Sequence, residues 1–356
     1  MKTGSEISSI PIHFIVSTGR TGSTLLTTML NAHPEILAIS EQPFTLNLID
    51  GYLKNKNWSE SKIKTFINDF FLFATEKLPT QFSNRSMLEK LFAQNEKDLN
   101  FQLAIRLCFL AFFSNKKIEN IKLFVSKELI LHTQIKKITQ IYPQSKFILL
   151  ARDPRDNVQI KINRASRRGA KYNLLRFVSA WEFIYKYLST DLRKYAKNKF
   201  ITIRYEDLVT HTELTLNEIC EFLNMEYHPD MLNYNQNNTD ELKARRNNIP
   251  DKLFEYLNRD HQGLLVKPNT DKIGIWRTQM NKETAIKIWN ECKDRAQEFG
   301  YFNNDEKSVV KQNFGIRYKM FKIWFYFSNI LIPKIYYKTP FVLRKFFKKI
   351  KKRIPH

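Results

Sequence analysis

The chain has 356 residues, 43% of them hydrophobic, which is enough for one large α/β domain and an appendage. Fifty-eight Lys and Arg against 35 Asp and Glu leave a formal charge of +23, which points to an anionic ligand, an acidic acceptor or an anionic membrane face. No zinc knuckle, RNP-type aromatic pattern or helix-turn-helix accompanies that charge, so nucleic acid is not the expected partner.

Met1 to Ser9 is short and polar, unlike a secretory leader. Ile12 to Val16 is a β-rich apolar run that stops at Ser17. The loop Thr18-Gly19-Arg20-Thr21-Gly22 follows, and Ser23, Thr24, Leu25, Leu26, Met29 and Leu30 then recur at helical spacing. Strand, Gly-bearing loop and helix N-terminus together hold phosphate, because free backbone N–H groups and the helix dipole both face the anion. A nucleoside-triphosphatase loop would read G-x-x-x-x-G-K-[ST]. Here Ser17 replaces its first Gly, Ser23 replaces its Lys, and the cation sits within the loop as Arg20. The reading is a phosphate cradle without a triphosphate clamp or a magnesium site, or else a plain tight turn between buried elements.

Asn31-Ala32-His33-Pro34-Glu35 leads into a second apolar run, Ile36 to Ile39, and then Ser40-Glu41-Gln42-Pro43. Helical patterns follow over Trp58–Thr75, Met87–Phe92 and Phe101–Phe113. Leu123 to Lys127 is a short strand ending in lysine, His132 to Tyr142 a helix, and Lys146 to Ala151 a strand running into Arg152-Asp153-Pro154-Arg155-Asp156-Asn157-Val158. Pro154 suits a first helical turn. Asn163 to Tyr195 is helical and rich in cations, read either as a solvated face or as a basic wall beside the site. Phe200 to Arg204 is a strand followed by Tyr205-Glu206-Asp207-Leu208, and Thr215–Leu223 is another helix. Asn233 to Asn258 reads as an exposed polar insertion, and Lys282–Phe299 as the last helix of the domain. Strands alternating with helices predict a doubly wound, mainly parallel sheet over residues 1–302. Ligands of such sheets lie past the carboxyl ends of the strands, where Ser17, Lys127, Arg152 and Tyr205 fall.

From Asn303 to the end, residues 303–356, aromatics interleave with Lys and Arg. The most apolar part, between Lys322 and Lys334, is too short to span a bilayer. Arg344 to Arg353 is basic and amphipathic. It suits an anionic membrane surface, or packing on its own domain or a partner. Cys108, Cys220 and Cys292 form no C-x-x-C and fit buried thiols in a reducing, cytoplasmic setting. The histidines show no metal-binding spacing, so no metal is expected.

Taken in order, the loop at Arg20, the His33-Pro34 pair, the strand ending in Glu41, the Arg152-Asp153-Pro154-Arg155 junction, Tyr205-Glu206-Asp207-Leu208 and Gly274-Ile275-Trp276-Arg277 resemble sulfotransferases that use 3′-phosphoadenosine 5′-phosphosulfate (PAPS). The tyrosylprotein and carbohydrate branches look closest. The resemblance implies metal-free transfer of a sulfuryl group to a hydroxyl of a glycan, lipid, peptide tyrosine or small alcohol. It makes Glu41 the general base, with Arg20 and Lys127 stabilising the transferred group. It places the 5′-phosphosulfate on Arg20, Thr21, Gly22, Ser23 and Thr24, the 3′-phosphate on Arg152, and the donor against Tyr205. Lys267, Lys272 and Arg277 are further, lower-ranked cations for the 3′-phosphate. One departure stands out: the family serine on the helix after Arg152 is Ile160 here, with Gln159 or Lys161 as substitutes. Glu41 also reads as a strand-end carboxylate paired with an arginine, Lys127 as a snorkelling lysine and Tyr205 as a core residue. Two other functions stay open, an atypical P-loop kinase and a non-catalytic membrane-docking protein on this scaffold.

Overall fold

The computed structural model describes residues 2–42, 44–74, 84–112, 116–236, 264–302 and 313–353. Five strands, β1 (Ile12–Val16), β2 (Ile36–Ser40), β3 (Leu123–Lys127), β4 (Phe147–Ala151) and β5 (Phe200–Arg204), form one sheet in the order β2-β3-β1-β4-β5. Each pairing is parallel, as the strand–helix alternation predicts. Helices cover both faces. In chain order they include α1 (Gly4–Ser9), α2 (Ser23–Ala32), α3 (Glu60–Phe73), α4 (Arg85–Gln94), α5 (Phe101–Leu110), α6 (Ile135–Ile141), α7 (Pro154–Arg167) and α8 (Leu174–Tyr195). Then come α9 (Tyr205–Thr210), α10 (Thr212–Leu223), α11 (Trp276–Gln279), α12 (Lys282–Glu298), α13 (Gly315–Tyr326), α14 (Ile332–Lys338) and α15 (Phe341–Arg353).

The strands of the sheet centre read as largely apolar runs, broken only by residues such as His13 and Ser126, because both faces are covered. Every residue of β1 to β4 is buried. Successive side chains go to opposite faces. Phe14 and Val16 join a cluster with Ile39, Phe124 and Leu149, while Ile15 joins one with Ala38, Val125 and Leu150. Since β1 lies between β3 and β4, the strand order reverses there, and the space beyond its C-terminal end is where sheets of this kind take their ligands.

Local chemistry moves several expected boundaries. A helix precedes β1, started by a capping box in which Thr3 and Glu6 satisfy each other's backbone N–H. The cationic stretch Asn163–Tyr195 is two helices. α7 starts at Pro154 under an Asp153 cap (Arg155 N–H to Oδ1, 2.8 Å). The chain then turns at Gly169, whose φ of 61° few other residues take up readily. The expected domain boundary at Asn303 and most of Asn233–Asn258 lie outside the described residues.

The C-terminal helices pack on the domain. Tyr318 donates to Glu182 at 3.0 Å, and Lys322 pairs with Glu182 and Glu291 at 3.0 and 3.3 Å. Arg344 is fully buried against Asp50 at 2.5 Å, and Lys345 meets Asp69 at 2.8 Å. No described helix is long and apolar enough to cross a membrane.

Candidate active site

The turn between β1 and α2 is built for a backbone that must come close to something. Gly22 caps α2 at φ 85°, and no side chain caps the helix there. A Cβ on Gly22 would lie 2.4 Å from the Tyr205 ring, so both conformation and space demand glycine. Thr21 is buried and ties its hydroxyl to the Thr18 carbonyl at 3.1 Å. From below, Asn157 Nδ2 donates to the Gly19 carbonyl at 3.0 Å. Arg20 and Glu41 are both left-handed non-glycine residues, φ 72° and 54°. Each carries about 1–2 kcal/mol of strain, of the kind that gathers at functional sites.

Strand register brings the next pair together. Ser40 of β2 lies opposite Lys127 of β3, so Glu41 leaves the sheet beside that lysine, its N–H on the Lys127 carbonyl at 2.8 Å. Lys127 Nζ then reaches Glu41 Oε1 at 2.7 Å and Thr24 Oγ1 at 3.2 Å. Lys127 is 3% exposed, whereas the Glu41 side chain is 36% exposed. Glu41 thus forms an ion pair with Lys127. Three elements, β2, β3 and the first turn of α2, converge on one ammonium.

Glu128, which sequence reasoning passed over, lies immediately behind. It is 2% exposed and accepts from Ser126 at 3.0 Å. Burial, reinforced by the charge of Glu41, pushes its carboxyl up to about 8. Two neighbouring carboxyls are thereby set apart: burial favours the protonated form of Glu128, and Glu41 is the one held in an ion pair.

On the other side of β1, Ala151 of β4 pairs with Arg204 of β5, so Arg152 and Tyr205 step off the sheet side by side. The Arg152 guanidinium lies 4.0 Å over the Tyr205 ring, and that ring also abuts Gly22. The loop and the arginine therefore meet across one aromatic ring. Arg152 is 2% exposed. Its carbonyl takes the Trp181 indole N–H at 2.9 Å, one Nη donates to the Lys272 carbonyl, and its buried Nε has no partner among the described residues. Burial first, then the charges of Arg152 and Arg167, lower the Lys272 ammonium. Three cations thus lie within electrostatic reach of one another.

The later motif is tied to this side by Asp156, another residue without an assigned role from sequence. Its carboxylate accepts the N–H groups of Gly274 and Trp276 at 2.7 and 3.1 Å. Arg277 stacks 4.5 Å over Trp276. Lys267 is exposed, and no hydrogen bond or ion pair joins it to the site among the described residues. At the position of the missing serine, Gln159 is taken up by Asn163 at 2.8 Å. Lys161 reaches Thr18 Oγ1 at 3.4 Å, and burial holds its ammonium down to about 7. His33 is structural: it accepts from the Glu35 N–H at 3.1 Å and meets the Glu226 carbonyl at 2.9 Å.

A sequence model described as the sulfotransferase family matches residues 11–229. Protein-tyrosine sulfotransferase 1 of Danio rerio is 25% identical over 247 residues, 66% of this chain and 61% of its own. Protein-tyrosine sulfotransferase 2 of Gallus gallus is 24% identical over 230 residues, 64% of this chain and 54% of its own. The chain thus spans somewhat over half the length of these relatives. Among solved structures, the sulfotransferase domain of the Synechococcus PCC 7002 olefin synthase superposes with a TM-score of 0.51 at 18% identity, over 82% of this chain and 95% of that one. At that identity the likeness is one of fold.

Proposed function

Because the chain belongs to the sulfotransferase family, we propose that it moves the sulfuryl group of PAPS to a hydroxyl acceptor, with Glu41 as general base. The observation that carries this reading is the convergence of Glu41 and Thr24 on the Lys127 ammonium beside the phosphate-type loop.

The residues fit a donor that is anionic at both ends. Turn Thr21-Gly22 and the uncapped start of α2 offer backbone N–H groups to a 5′-phosphosulfate, with Arg20, Ser23 and Thr24 beside them. Arg152, with its unpartnered Nε, and the neighbouring Lys272 suit a 3′-phosphate. Arg277, and more remotely Lys267, would add charge there. PAPS supplies an activated sulfuryl group. The protein's own part is positional and electrostatic. Lys127, desolvated and fixed by Glu41 and Thr24, offers charge where negative charge develops, and Arg20 would add to it. Glu41, half-exposed at the strand end, can meet an acceptor hydroxyl and take its proton. Glu128 is 2% exposed, so an acceptor hydroxyl reaches Glu41 first, and burial favours the protonated form of Glu128.

The relatives' names give tyrosine in protein as their acceptor. For this chain we propose only a hydroxyl, on a peptide tyrosine, glycan, lipid or small alcohol. The three cysteines are buried free thiols, which suits a reducing, cytoplasmic compartment.

Calorimetric titration with adenosine 3′,5′-bisphosphate, followed by label transfer from PAPS to pooled hydroxyl acceptors, tests the proposal. Micromolar binding and acceptor-dependent transfer are expected. A silent titration would overturn the donor assignment in favour of a binding protein, and magnesium-dependent ATP turnover would overturn it in favour of a kinase.

A further inference from the structure

The last helix is mounted inside out. Along α15 the fully buried side chain is a cation, Arg344, held by Asp50 at 2.5 Å. Of its apolar residues, Phe341 at the start packs inward on Tyr52 and Phe73, while Val342, Leu343, Phe346, Phe347 and Ile350 are 41–74% exposed. Their spacing of one, three, one and three residues places them on a single helical stripe. A soluble helix normally does the reverse.

The same holds two helices earlier. α13 fixes itself to the domain through Tyr318 and Phe325, 1% and 2% exposed. On its outer side Ile316, Met320, Ile323 and Trp324, followed by Phe327, are 51–70% exposed. They recur at helical spacing, so α13 is apolar on both sides, the mark of a helix that is covered on both. Of the seventeen large hydrophobic residues exposed among the described residues, twelve lie between Ile316 and Ile350. A monomeric surface rarely concentrates apolar groups in this way without a use for them.

Charge identifies what covers them. Residues 313–353 contain twelve Lys and Arg and no Asp or Glu. Lys319 and Lys349 are exposed beside the apolar stripes. A second copy of the chain would bring two such cationic surfaces together, which like-charge repulsion opposes. A surface that is apolar in depth and anionic at its boundary satisfies both features.

We propose that helices α13 to α15 dock the enzyme on an anionic phospholipid bilayer, with the outer apolar residues entering the headgroup and acyl boundary and the basic residues resting among the headgroups. The helices lie on the membrane without crossing it, consistent with the absence of a spanning helix among the described residues. The proposal stands on the C-terminal helices alone and is independent of the sulfuryl-transfer reading.

The test is co-sedimentation of the full chain with vesicles of phosphatidylcholine alone or with about a third phosphatidylglycerol, with the oligomeric state followed by size-exclusion chromatography. Binding to the anionic vesicles at least about tenfold tighter than to neutral ones is expected. The variant F346E/F347E should lose at least about tenfold, while its unchanged melting temperature shows that the inner face of α15 is intact. Trp324 is 53% exposed and the other four tryptophans are 0–8% exposed. Its emission should therefore shift to the blue on anionic vesicles, and W324F should abolish the shift. Equal binding to both vesicle types, binding unaffected by F346E/F347E, or a dimer that this variant dissociates would each overturn the proposal.

Discussion

The two sides of the sheet beyond the C-terminal end of β1 are built in opposite ways. At the β2–β3 end the carboxylate of Glu41 is 36% exposed, while Lys127 and Glu128 behind it are sealed. At the β4–β5 end Arg152 is 2% exposed, stacked on Tyr205 and covered by the backbone at Lys272. A group that must exchange a proton with an incoming hydroxyl has to be reachable. A group that only grips an anion gains strength from desolvation. Under the proposed function, the open end would serve the chemistry and the closed end the holding of the donor.

Substitutions test that contrast, and the largest effect belongs to the open end. Glu41→Gln keeps shape and removes basicity. Transfer should fall about 10²–10⁴-fold, with the affinity for adenosine 3′,5′-bisphosphate nearly unchanged by calorimetry. Turnover retained in E41Q would mean that the open end is not where the proton goes. Arg152→Ala should show the converse. Losing charge-assisted bonds to a phosphate should weaken bisphosphate binding by about 10–100-fold, and saturating donor should restore much of the rate. If R152A lowered kcat with binding intact, the closed end would belong to the chemistry after all.

Gly22 tests whether the two ends communicate. Alanine there would meet the Tyr205 ring at 2.4 Å while adopting φ 85°. G22A should cost about 1–2 kcal/mol from backbone strain alone and more from the clash, read as a lower melting temperature together with weaker bisphosphate binding. Tyr205→Ala removes the clash but not the strain, so G22A should cost less in a Y205A background than in the wild type. No cost of G22A in that background would show that the left-handed turn carries no strain.

Much of the sheet was legible because parallel strands buried on both faces leave largely apolar runs, and the loop at Gly22 because strand, glycine and helix start are contiguous. The pairing of Glu41 with Lys127 spans 86 positions and depends on β2–β3 register, which no local pattern contains. Family resemblance suggested the residues; only the register makes them neighbours. Asn157 was visible as part of a motif, but its grip on Gly19 depends on how α7 sits under the loop. The protonated state of Glu128 is a matter of burial, and burial is not written in residue type. For α15 the amphipathic pattern was plain, yet it could not say which face turns inward. Asp50 decides that by claiming Arg344.

The smallest effect concerns Lys161, which reaches Thr18 where the family resemblance expects a serine hydroxyl one position earlier. Its ammonium is held down to about 7, against an ordinary value of 10.5. Between those values the unfolded chain keeps the proton and the folded chain has shed it, so stability should climb as pH rises through this window. Lys161→Met should flatten that part of the profile of melting temperature against pH. Binding should run the linkage backwards. A phosphate placed beside the loop favours the charged ammonium, so at about pH 8 adenosine 3′,5′-bisphosphate should bind with uptake of a proton. Calorimetry in buffers of differing ionisation enthalpy measures that uptake. Loss of it in K161M would make Lys161 the replacement for the missing hydroxyl. Uptake that persists in K161M would shift the effect to Lys272, the other lysine whose ammonium is lowered at the site, and would leave Lys161 as a support beneath the turn.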